Sequence, residues 1–92
     1  MGGGLGVDIS IIVPHLNQPG PLDKALASIF AQDLDMSRCE VIVVDNGSRE
    51  LPEAIVARYP GARLAISETP GPGPARNRGV QLARAPILAF TD

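Results

Sequence analysis

Glu40-Val41-Ile42-Val43-Val44-Asp45-Asn46-Gly47-Ser48 is the stretch whose reading decides the fold. Four consecutive β-branched residues without alternation predict a strand buried on both faces, as in a sheet covered by helices. The run stops abruptly at Asp45-Asn46-Gly47-Ser48, a polar group of turn formers. An earlier run of the same kind, Val7 to Val13, is closed by Pro14 and predicts a first strand. Between the two, Pro21 stands where a first helical turn tolerates proline, and Leu22, Ala25, Leu26, Ile29 and Phe30 recur at helical spacing. That pattern predicts an amphipathic helix to about Gln32, with Asp33 to Arg38 as polar linker.

Downstream, Pro52 opens a short helix carrying Ala54, Ile55, Ala57 and Arg58, stopped by Tyr59-Pro60-Gly61. Arg63 to Ile66 is a weak third strand. Prolines at 70, 72 and 74 exclude regular structure before Pro74 and leave a loop of defined shape. From Pro74 a helix with Ala75, Val80, Leu82 and Ala83 on its inner face is expected, and Pro86 starts a last strand, Ile87 to Phe90, that ends at Thr91-Asp92. The order β-α-β-α-β-α-β implies right-handed crossovers and an α/β, three-layer, doubly wound parallel sheet. In such sheets ligands collect outside the carboxyl ends of the strands, and the polar groups ending these strands are Asn17, Asp45 with Ser48, Glu68 and Asp92.

Composition sets the outer bounds. Ninety-two residues, 45% apolar and 20% charged, suit one globular domain or part of one. Residues 1–6 read as a flexible leader and 7–92 as the domain. Eight basic against ten acidic residues give a net charge of −2, without the basic excess that a phosphate backbone demands, and the three aromatics offer no stacking platform. Nucleic acid is excluded as the expected partner. The lone Cys39 forms no internal disulfide, and with only His15 beside it no zinc set assembles. Apolar runs fall far short of the roughly 20 residues that cross a bilayer, so no membrane segment is expected and a cytoplasmic location is the default.

Gly71-x-Gly73 before a helix imitates a dinucleotide fingerprint, but Arg76 stands at its third glycine position and Pro72 and Pro74 delete N–H groups a pyrophosphate needs. No P-loop is present. Asp45 at the carboxyl edge of a buried strand is placed to accept hydrogen bonds from a ribose or base, with a turn-forming role as its plainer reading. Asp92 has the same address on another strand and is a candidate hard-cation ligand. Arg76 and Arg78 open a helix whose dipole disfavours cations, which points to an anionic ligand or a carboxylate partner. His15 reads as a loop residue, and no second histidine, Ser-His-Asp set or CxxC is present to support nucleophilic catalysis or metal hydrolysis.

Taken together, Ser10-Ile11-Ile12-Val13-Pro14-His15-Leu16-Asn17, Glu40 to Ser48, Gly73-Pro74-Ala75-Arg76-Asn77-Arg78-Gly79 and Ile87 to Asp92 resemble the amino-terminal half of family-2 glycosyltransferases with the GT-A fold. The resemblance spans nearly the whole chain. It implies a binding half for a nucleotide-diphosphate sugar in an inverting transferase, with the acceptor site and catalytic base beyond this chain and the chain itself inactive. It also implies that Pro14, Asn17, Asp45 and Ser48 hold the nucleoside, that Arg76 lies near base and phosphates, and that Asp92 faces the ribose or a divalent cation, Mg²⁺ or Mn²⁺. Two departures stand out: Asn46 replaces the second acid of an acidic pair, and His15-Leu16 replaces an aromatic or small residue. Uridine is therefore less firmly indicated than nucleotide binding itself. A non-catalytic α/β interaction domain is the alternative, and an exposed, lysine-free last strand predicts a homodimer by antiparallel edge pairing.

Overall fold

One of the two inner strands of the sheet, β2 (Cys39–Asp45), is buried along all seven residues, as its unalternating sequence requires. The computed structural model describes residues 7–32, 35–85 and 87–91. The expectations for the leader 1–6 and for Asp92 lie outside them. Parallel to β2 on one side runs β1 (Ile9–His15), paired from Ile9↔Cys39 to His15↔Asp45, and on the other β3 (Ala62–Ile66). β4 (Ile87–Phe90) pairs with the first half of β1, giving the order β3-β2-β1-β4. The chain steps outward from β1 through β2 to β3, then returns to lay β4 on the far side of β1. The order therefore reverses at β1.

Helices cover both faces. Leu22, Leu26 and Ile29 of α1 (Pro19–Phe30) and Val56 of the five-residue α2 (Glu53–Ala57) pack with Ile11, Val13, Val41 and Val43. On the opposite face, Ala75 of α3 (Pro72–Leu82) packs with Ile12, Ile42 and Val44. The alternation of β1 and β2 thus feeds two cores, and the three-layer doubly wound architecture holds. Each fully buried valine, leucine or isoleucine contributes about 1.5–3 kcal/mol through burial.

Three local expectations are corrected. β1 continues through Pro14 to His15. Proline is tolerated there because the Ile12 carbonyl bonds the Thr91 N–H, so backbone groups of Ile12 and Pro14 face β4, and β4 is in register only as far as Ile12. The missing N–H falls past the last pair. α1 begins at Pro19, two residues earlier than Pro21, with proline in its first turn. α3 begins at Pro72, and its contact with the sheet is Ala75 and Gly79; Val80 is 42% exposed. Gly79 decides that rotation. A Cβ at Gly79 would stand 2.5 Å from Ile12 Cγ2, so the helix lies on the sheet through its smallest residue.

Candidate functional site at the carboxyl rim

The loops after β1 and β2 are locked into one unit by side chains of each bonding backbone of the other. Asn17 donates its N–H to Ser48 Oγ at 2.8 Å, and Arg49 donates its N–H to Asn17 Oδ1 at 2.9 Å. Asn17 holds φ at 50°, left-handed backbone that asparagine tolerates better than most residues. Gly47, at φ 100°, makes the matching turn in the second loop.

Beneath this lock lies the pair of side chains that end the two strands. His15 and Asp45 occupy paired positions in the register, are 6% and 1% exposed, and meet at 2.9 Å between Nδ1 and Oδ1. The N–H of Gln18 donates to His15 Nε2 at 3.0 Å, which leaves Nδ1 as the nitrogen that carries the proton and donates to Asp45. The other oxygen of Asp45 accepts the N–H groups of Gly47 at 3.1 Å and Ser48 at 2.8 Å. Burial opposes ionisation of Asp45 most strongly, but hydrogen bonds from Ser48, His15 and the Gly47 amide together outweigh it and hold the carboxyl below its ordinary pKa. Asp45 is an ionised loop organiser.

The expected site residues divide accordingly. Pro14, Asn17, Asp45 and Ser48 converge at this rim, while Arg76 sits half-buried in the second turn of α3, which covers the face opposite α1 and α2. Asp92 lies outside the described residues. Pro72 and Pro74 in the first turn of α3 remove two of its leading N–H donors, in line with the rejection of a dinucleotide fingerprint. A groove of about 510 Å³ opens on the α2 side of the rim, lined by His15, Asn17, Arg49, Glu50, Pro52 and Ile55. A larger one, about 800 Å³, runs between β3 and α3 past Ser67, Glu68, Asn77 and Arg78, away from the expected site. Among the described residues no three histidine, cysteine, aspartate or glutamate side chains cluster as a metal set, and the oxygens of Asp45 are already engaged. The described residues alone do not fit a divalent cation.

Sequence reasoning missed two members of these networks. From sequence His15 reads as a loop residue, yet it ends β1 and bonds Asp45. At the opposite end of the sheet Glu40, 4% exposed, accepts the Ser10 hydroxyl at 2.6 Å and the Arg84 N–H at 2.6 Å. Arg84 Nε and Arg63 Nη2 approach its second oxygen at 3.3 and 3.4 Å. Burial again opposes ionisation, and the Ser10, Arg84 and Arg63 interactions outweigh it, so Glu40 too is held below its ordinary pKa. A signal existed in the chain: Ser10-x4-His15 and Glu40-x4-Asp45 put polar residues at both ends of two apolar strands with equal spacing.

Comparison with known proteins fits this geometry. The profile of the family described as Glycosyl transferase family 2 matches residues 10–92. Glycosyltransferase AglE of Haloferax volcanii is 34% identical over 89 residues, covering 91% of this chain and 29% of AglE. The TarS 1–349 structure from Staphylococcus aureus in complex with UDP-GlcNAc superimposes with a TM-score of 0.80 at 30% identity, covering 94% of this chain and 26% of that one. The mannosyltransferase PcManGT of Pyrobaculum calidifontis, in complex with GDP-Man and Mn²⁺, gives a TM-score of 0.77 at 25% identity over 94% of this chain and 27% of its own. The four-stranded parallel sheet is that of these GT-A neighbours, and the chain spans under a third of the length of such relatives. Among the described residues no helix is long and apolar enough to cross a membrane.

Proposed function

Because the chain belongs to glycosyl transferase family 2, we propose that its carboxyl rim forms the nucleotide half of a donor site for a nucleotide-diphosphate sugar. The sugar passes to an acceptor hydroxyl by inverting displacement at the anomeric carbon, with acceptor site and catalytic base supplied by other parts of a longer protein. The chain alone transfers nothing. One observation carries this reading: the loop after β1, interlocked with the loop after β2, borders the boundary between β1 and β4 where the strand order reverses, the crevice in which open α/β sheets hold ligands.

In this reading Pro14, Asn17 and Ser48 form the wall against the nucleoside. Asp45 contributes by holding the Gly47 and Ser48 amides, and through them the loop, in place. Displacement at the anomeric carbon leaves a nucleoside diphosphate, so negative charge grows on the leaving group, and in this reading Arg76 is a cation that meets it. The divalent cation expected beside it, Mg²⁺ or Mn²⁺, rests on Asp92. Structural neighbours hold UDP-GlcNAc in one case and GDP-Man with Mn²⁺ in another, which supports a nucleoside diphosphate as the ligand class without fixing the base.

Titration with UDP and GDP in the presence of Mn²⁺, followed by ¹⁵N NMR, tests the assignment. Shifts are expected at Asn17, at residues 46–49 and at Arg76, and Arg76→Ala should weaken binding about tenfold, the loss of one charge-assisted contact. Shifts confined to the groove between β3 and α3, or an Arg76→Ala protein that binds unchanged, would refute it.

A further inference from the structure

β3 is an edge of the sheet, and its backbone groups can be accounted for one by one. The Val41 N–H donates to the Gly61 carbonyl at 3.1 Å, and the Ser67 N–H donates to the Asp45 carbonyl at 2.9 Å. Alternate residues of a parallel ladder turn to the partner, so Gly61, Arg63, Ala65 and Ser67 face β2, while Ala62, Leu64 and Ile66 turn their backbone outward. Two of these outward groups are already engaged: the Ala62 N–H donates to the Tyr59 carbonyl at 3.0 Å, and the Ile66 carbonyl accepts Arg78 Nε at 3.3 Å. The Ala62 carbonyl, both groups of Leu64 and the Ile66 N–H have no partner among the described residues. No proline or lysine interrupts the strand. Its one charge, Arg63, is drawn across the α3 face to Glu40 and the Leu82 carbonyl, so the usual guards against edge pairing are missing.

We propose that β3 is an interaction edge for a second copy of this chain, the two β3 strands pairing antiparallel about a two-fold axis at Leu64. That register sets Leu64 opposite the partner's Leu64, and Ala62 opposite the partner's Ile66. Residues opposed with outward backbone exchange N–H···O bonds in both directions. The Leu64 pair makes two, and each Ile66 N–H reaches the other copy's Ala62 carbonyl. The bond that is forgone lies between the Ala62 N–H and the partner's Ile66 carbonyl, the very groups each copy already satisfies internally. A slip to either neighbouring register sets open groups against engaged ones. The pattern of open and engaged groups is therefore its own complement, which selects a second copy over an unrelated extended segment. Side chains agree: Ala62 and Leu64 pack on the core beside α2, and Ile66 and Leu51, 41% and 45% exposed, border the same shallow groove, so the seam is apolar on that face.

Sedimentation equilibrium of the chain beside Leu64→Pro, Ile66→Lys and Leu88→Pro tests the pairing. Wild type should dimerise with a dissociation constant of roughly 100 μM, the weak range that suits so small a seam. Leu64→Pro deletes only an outward N–H, and Ile66→Lys puts charge at the seam; each should weaken association by about tenfold or more. Leu88→Pro deletes an outward N–H from β4, the other edge strand, and should leave the dimer unchanged. Circular dichroism confirms the fold of each variant, and Ile66→Lys decides should the proline disturb β3. Hydrogen exchange of the wild type gives a readout free of substitutions: protection of the Leu64 and Ile66 amides should rise with protein concentration, while that of Ala62 stays constant. A monomer at about 1 mM overturns the inference. So does a dimer indifferent to both β3 substitutions, one lost with a folded Leu88→Pro chain, or exchange at Leu64 and Ile66 that ignores concentration. The carboxyl rim takes no part, so nucleotide binding stands or falls separately.

Discussion

The two ends of the β1–β2 ladder carry the same device and put it to different ends. At each, a buried carboxylate on β2 meets a polar side chain on β1 in register: Glu40 with Ser10 at the amino end, Asp45 with His15 at the carboxyl end. Both carboxyls are held below their ordinary pKa by hydrogen bonds that outweigh burial. They differ in what else they gather. Glu40 collects Arg84 and Arg63, and Ser10 accepts the Ala85 N–H, so that knot ties in β3 and the segment leading to β4. Asp45 collects the amides of the very next residues and so shapes one loop. The first carboxylate closes the fold; the second shapes the rim loop that the proposed donor site would use.

Glu40→Ala is the strongest way to break this contrast. It strands the Ser10 hydroxyl and the Arg84 N–H and leaves two guanidiniums without their carboxylate, for a cost of about 3 kcal/mol in urea unfolding. Asp45→Ala should cost less, about 2 kcal/mol, because exposed Gly47 and half-buried Ser48 can turn their donors to water. Its signature is local: hydrogen exchange should quicken at residues 46–49 well beyond the global change. Equal losses, or exchange that quickens uniformly, would erase the distinction between the two ends.

Acid sharpens the comparison further. Each carboxyl gives up its proton more readily folded than unfolded, so the unfolded chain binds more protons and stability falls as pH falls. The contribution is fully present above about pH 4, where unfolded carboxylates ionise, and is lost as pH drops through the lower native values. Glu40→Gln should flatten that acid limb by up to about 1.4 kcal/mol per pH unit, the share of one proton. An acid limb as steep as wild type would remove Glu40 from the account.

Strands and helices were legible because an unalternating β-branched run and a three-and-four spacing are direct consequences of burial on two faces and on one. The face of α3 was not. Val80 fits an apolar pattern, but contact is set by how close backbone can come, and Gly79 against Ile12 comes closest. Pro14 misled because its missing donor costs nothing once the neighbouring strand has ended. At the rim, the gathering of Asn17, Asp45 and Ser48 is legible from position alone, since polar residues ending buried strands cluster at one edge. That Asp45 would turn to His15 depended on the register, which parallel strands thirty residues apart reveal only once folded.

The same amino-end knot governs the order of assembly. Ser10 and Glu40 are separated by 30 residues, Ser10 and Ala85 by 75. Closing the longer loop from the open chain costs roughly 0.8 kcal/mol more in entropy, which favours β1–β2 pairing first. With that ladder formed, Glu40 and Ser10 stand together as a preformed receptor for the backbone of Arg84 and Ala85, and β4 docks onto a surface that already exists. The buried acid of the first pairing thus becomes the address for the last.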